Sequence, residues 1–97
     1  MNSLPALMSK IDSIDGQIID LLQERFSCSR RIGEMKLQHG EPLFDPIRVA
    51  AQRQKFIFDC MDVGLNADMA MRLITTIVDQ VLDERRLLTD KLSSLGR

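Results

Sequence analysis

Residues 5–38 read PALMSKIDSIDGQIIDLLQERFSCSRRIGEMKLQ, and the spacing of their apolar side chains decides the fold. Leu7, Ile11, Ile14, Ile18, Leu21, Leu22, Ile32 and Met35 recur with the period of a helix, not the alternation of a strand. Pro5 suits an early helical position, so the helix opens at Ser3 or Leu4. Gly16 and Gly33 are isolated, and an interior glycine costs only about 1 kcal/mol relative to alanine. Nothing therefore stops the helix before His39-Gly40, where Gly40 serves as the cap. At about 1.5 Å per residue such a helix spans roughly 50 Å, whereas a compact domain of this size is only about 30 Å across. A stripe of that length cannot be covered by its own chain. The simplest cover is a second copy related by a two-fold axis, which makes an intertwined homodimer the expectation.

Two shorter helices follow. After the loop Gly40-Glu41-Pro42-Leu43-Phe44, Asp45-Pro46 reads as an N-cap with proline at the first helical position, and this helix runs to about Met61. Gly64 closes it. Asn66 caps a third helix through Met69, Leu73, Ile77, Val81 and Leu88, which fades over residues 91–96. The expected fold class is all-α, with three helices in one domain over residues 1–97, since 97 residues do not supply two independent cores.

Composition excludes several classes of function. Lys plus Arg number 13 against 14 Asp plus Glu, a net charge of −1, so there is no global footprint for nucleic acid or an anionic membrane. Aromatic residues are 4% of the chain, too few for base-stacking platforms. Cys28 and Cys60 with the single histidine, His39, do not make a structural metal site; Cys28 reads as a small core residue and His39 as a partner for the helix C-terminus. The N-terminal residues show neither a basic region nor an apolar run of signal-peptide length, and no later segment approaches a membrane span. The expectation is a cytoplasmic protein with free thiols and no metal or cofactor.

Charge placement is more informative than total charge. Continuing Ile11 and Ile18 by sevens leads to Arg25 and then Ile32, so Arg25 falls where the stripe asks for an apolar residue. Lys36, about three turns beyond Arg25, returns to nearly the same face. Buried cations require anions, and two arrangements satisfy them: an ion pair such as Arg25 with Glu84 of the third helix, or a cavity for an anionic ligand. Spacing alone slightly favours the ion pair. Arg30-Arg31, flanked by Glu24 and Glu34, reads as a solvated face, and Asp12 and Asp15 as surface carboxylates. No glycine-rich phosphate loop, nucleophile elbow or metal-ligand spacing is present.

The strings IDSIDGQIIDLLQERF (Ile11 to Phe26), RRIGEMK (Arg30 to Lys36) and DPIR (Asp45 to Arg48), with the Gly64-Leu65 break before a third helix, together resemble the all-helical, type II chorismate mutases. The resemblance covers about Met8 to Leu88 and implies rearrangement of chorismate to prephenate in an intertwined dimer, with no cofactor and no covalent intermediate. It favours the ligand cavity over the ion pair. By resemblance, Arg25 grips one substrate carboxylate, and Lys36 contacts the other carboxylate and the ether oxygen. Asp45 lies near the substrate hydroxyl and Arg48 holds the polar end of the site. Ile32, Val78, Val81 and Leu82 form apolar walls.

The chain departs from the family pattern at three positions. Met8 stands where an arginine normally reaches the partner's site, and Val49 where a glutamate often binds the hydroxyl. Arg85, with Glu84 beside it, stands at the third-helix position usually taken by glutamine or glutamate facing the ether oxygen. Arg85 is accordingly expected to supply catalytic positive charge, with Glu84 at the substrate. Two other readings stay open: an isochorismate pyruvate lyase, for which Arg48-Val49-Ala50-Ala51 is also plausible, and a catalytically weakened helical dimer that serves as a regulatory or partner-binding module.

Overall fold

The structure is a computed structural model that describes residues 3–95. It contains α1 (Leu4–Gln38), α2 (Pro46–Asp62) and α3 (Ala67–Leu95), and no strand among the described residues. The boundaries follow local chemistry. Ser3 caps α1 by accepting from the Ala6 amide at 3.2 Å, with Pro5 just inside. Asp45 caps α2 through the Arg48 amide at 3.1 Å, and Asn66 caps α3 through the Met69 amide at 2.9 Å. Both α1 and α2 end in the same way. The glycine past the cap takes a left-handed conformation (Gly40 φ 66°, Gly64 φ 84°), and the next amide returns to the third-last helical carbonyl: Glu41 to Lys36 at 2.8 Å, Leu65 to Cys60 at 2.9 Å. α3 continues to Leu95; Gly96 lies outside the described residues.

The core is small and lies between α2 and α3. Cys60 from α2 meets Ala70, Ile74, Ile77 and Val78 from α3, with Ile74 almost fully enclosed. α1 packs only on α3 and has a single buried residue, Gly33. α1 and α2 do not pack on each other directly; they face one another beside α3. The chain measures 62 × 25 × 18 Å with a radius of gyration of 17.6 Å, against about 13 Å for a compact domain of this length. The excess is the N-terminal half of α1, whose stripe is uncovered: Ile11 is 57% exposed, Ile18 50% and Leu21 64%. No helix among the described residues is long and apolar enough to cross a membrane.

Candidate active site

Where α1 and α2 flank α3, a cavity of about 270 Å³ opens, lined by all three helices and by Leu43 and Phe44 of the loop between α1 and α2. Each helix contributes one face to it, with the same spacing. α1 supplies Arg25, Cys28, Ser29, Ile32 and Lys36. α2 and its cap supply Asp45, Arg48, Val49 and Gln52, and α3 supplies Val78, Val81, Leu82 and Arg85. Offsets of three, four and seven residues keep side chains on one helical face, so three helices meeting along such faces enclose a common space.

The expected residues therefore converge, with one exception. Arg25, Lys36, Asp45, Arg48 and Arg85 line the cavity, and Ile32, Val78, Val81 and Leu82 form its apolar walls. Glu84 does not line it. Its carboxylate takes Nε and Nη2 of Arg30 at 3.1 and 2.9 Å on another flank of α3. This corrects two expectations: Glu84 does not face the cavity, and it pairs with Arg30 instead of Arg25. The physical reason is a rotation of about 100° between successive helical residues, which separates Glu84 from Arg85. Among the described residues Arg25, Lys36 and Arg48 form no ion pair, so their charge stays available to the cavity. Arg31 pairs locally with Glu34, as a solvated face does.

Four cations, Arg25, Lys36, Arg48 and Arg85, thus surround a small space that holds one carboxylate, Asp45, in a chain whose net charge is −1. One oxygen of that carboxylate, Oδ1, accepts the Arg48 amide and caps α2. Four cations around one carboxylate leave the lining of the cavity with an excess of positive charge. Arg85 differs from the other three cations. It is 8% exposed and donates through Nη1 to the Leu43 carbonyl at 3.0 Å, and through Nη2 to the carbonyl and hydroxyl of Ser29 at 3.0 and 3.3 Å. Burial lowers its pKa from the usual arginine value, and the neighbouring Glu84 charge opposes that shift.

Cys28 is exposed and lines the cavity, correcting its reading as a core residue; α1 has too little packed against it for a core on that face. Ser29 and Gln52 were missed as lining residues. The signal for both was the spacing itself, since Ser29 lies four residues after Arg25 and Gln52 four after Arg48.

Residues 7–86 match the family model described as chorismate mutase type II, and the chain belongs to that family. Among its relatives is a T-protein of Haemophilus influenzae, 35% identical over 69 residues; the match covers 71% of this chain but 18% of the T-protein, so the chain spans about a fifth of that relative's length. A 4-amino-4-deoxychorismate mutase of Streptomyces venezuelae is 28% identical over 80 residues, covering 82% of this chain and 78% of the relative. A chorismate mutase of Methanocaldococcus jannaschii is 27% identical over 84 residues, covering 81% and 80%.

Proposed function

We propose that this protein is an isomerase that rearranges chorismate to prephenate, and that it does so as a homodimer. The observation that carries the reading is the convergence of Arg25, Lys36 and Arg48 on one small cavity without carboxylate partners. Chorismate carries two carboxylates and an ether oxygen. The reaction is intramolecular: the ether carbon–oxygen bond breaks as a carbon–carbon bond forms within one molecule, so no atom is gained or lost and no proton must be moved. What a protein contributes is a folded substrate conformation and positive charge where the breaking ether bond leaves negative charge. Arg25 and Lys36, on one face of α1, hold the two carboxylates, and the Lys36 ammonium also reaches the ether oxygen. Arg48 and the free carboxylate oxygen of Asp45, at the start of α2, hold the polar end, and Ile32, Val78, Val81 and Leu82 exclude water from the reacting carbons.

The homodimer rests on the stripe of α1, where Leu7, Ile11, Ile14, Ile18 and Leu21 are each between 41% and 64% exposed on one continuous helix. An apolar surface of that length calls for a cover, and a second copy supplies a matching stripe. Such a partner would also shield the open side of the cavity. A cytoplasmic setting is proposed with it, where Cys28 and Cys60 stay reduced. The relatives named for 4-amino-4-deoxychorismate favour a second candidate substrate of the same dicarboxylate class.

The test is to incubate the purified protein separately with chorismate, 4-amino-4-deoxychorismate and isochorismate. Prephenate from the first supports the proposal, the rearranged amino analogue from the second redirects it within the class, and salicylate plus pyruvate from the third indicates the lyase reading. No product from any of them leaves a non-catalytic helical module. With activity in hand, Arg25→Ala and Lys36→Ala should each lower kcat/KM about a hundredfold or more, since each removes a preorganised electrostatic donor. Near-native rates in both variants would overturn the site.

A further inference from the structure

Arg85 is the one buried charged residue among the described residues, and its guanidinium is engaged by acceptors of its own chain. Nη1 holds the Leu43 carbonyl in the loop between α1 and α2, while Nη2 holds the Ser29 carbonyl and hydroxyl on α1. One planar fork on α3 thereby ties α1 to the loop that leads into α2. The bond to Leu43 is the only side-chain hydrogen bond from α3 to that loop among the described residues. An open groove of about 440 Å³ runs along it, lined by Leu37, Leu43, Phe44, Thr89 and Leu92. Leu43 is two residues before Asp45, so holding its carbonyl bears on the placement of the capping Asp45 and of Arg48 one turn later.

Gly33 is the counterpart of this fork. A Cβ there would sit 2.9 Å from Arg85 Nε, 3.1 Å from Leu88 Cδ1 and 3.2 Å from Arg85 Cδ. The arginine stem crosses α1 at a residue with no side chain and reaches Ser29 a turn further back. Gly33 is therefore not an idle interior glycine; it clears the path by which Arg85 reaches its acceptors.

We infer that Arg85 is a positioning residue, a latch that pre-sets the α1–α2 loop so that Asp45 and Arg48 stand opposite Arg25 and Lys36, and that Gly33 exists to admit it. This rests on the proposed mutase reading, and it replaces the expectation that Arg85 contacts the ether oxygen as a catalytic cation. Lysine keeps the charge but lacks the planar fork that spans two carbonyls. With the latch open, the bound dianion must itself order the loop. The cost then falls on binding, because only the fraction of molecules with the loop in place is competent.

The experiment measures Arg85→Lys and Gly33→Ala, singly and together, for steady-state kinetics on the dicarboxylate substrate, amide exchange over residues 41–45, and melting temperature. The latch predicts KM raised about tenfold with kcat within about threefold, because substrate binding repays the ordering. It also predicts faster exchange in residues 41–45, a retained cooperative melt, and a double variant no worse than either single one. Near-native KM in Arg85→Lys would overturn it, and so would a fall in kcat at constant KM, which marks contact with the reacting atoms or loss of folded protein. If the unmodified protein turns over none of the three substrates, the mutase reading fails; the exchange measurement still judges the latch, with unchanged exchange in both variants refuting it.

Discussion

Replacing Ile18 by aspartate tests whether the long face of α1 is an interface. Ile18 is 50% exposed in the single chain and lies midway along the stripe. Full burial of an isoleucine is worth about 1.5–3 kcal/mol, so covering the remaining half contributes about 1 kcal/mol per copy. A carboxylate left unpaired in that interface costs about 3 kcal/mol or more in addition. A two-fold axis applies every change twice, and the variant dimer should lose about 8 kcal/mol, which is between five and six decades in Kd at about 1.4 kcal/mol per decade. Sedimentation velocity at micromolar protein should find a dimer for the unmodified chain and a monomer or unfolded chain for Ile18→Asp. Circular dichroism separates those last two outcomes. A monomeric unmodified protein at that concentration would refute the reasoning, and so would an Ile18→Asp variant that stays dimeric, because either result removes the need to cover the stripe.

Two further outcomes follow from the packing and the site. Ile74, 2% exposed between α2 and α3, has no slack around it, so Ile74→Ala should cost about 2–5 kcal/mol and lower the Tm by roughly 10 °C or more, read by thermal melts at fixed protein concentration. Glu84→Gln removes the charge that pairs with Arg30, whose side chain is 57% exposed, and that neighbours Arg85; kcat/KM should stay within about twofold, and a larger loss would put Glu84 back at the substrate.

How much of this could be read in advance differs from element to element. The helix ends were legible because they are decided by neighbouring residues: Ser3, Asp45 and Asn66 offer oxygens to amides three positions on, and Gly40 and Gly64 adopt a backbone that other residues resist. The alignment of Arg25 with Lys36 was legible because it depends only on the pitch of α1. Glu84 and Arg85 were not, since adjacent residues share every regional signal of sequence and differ only in direction. Helix rotation sends one to Arg30 and the other beneath the loop. Cys28 misled because an apolar stripe does not say whether the surface covering it belongs to the same chain.

Whatever depends on one helix at a time follows from the order of residues: three helices, their caps, and an α1 too long for its own core. The same order also shows which charges ride on the apolar face. The tertiary structure decided what depends on the relative placement of helices. Only there do the faces of α1, α2 and α3 close around one cavity, with Arg25, Lys36 and Arg48 in no ion pair among the described residues. Only there does Arg85 cross the bare backbone at Gly33 to engage Ser29 and Leu43. The reason is that periodicity specifies a side chain's direction about its own axis, whereas a neighbour's identity requires the distance and rotation between two axes, which packing on α3 supplies.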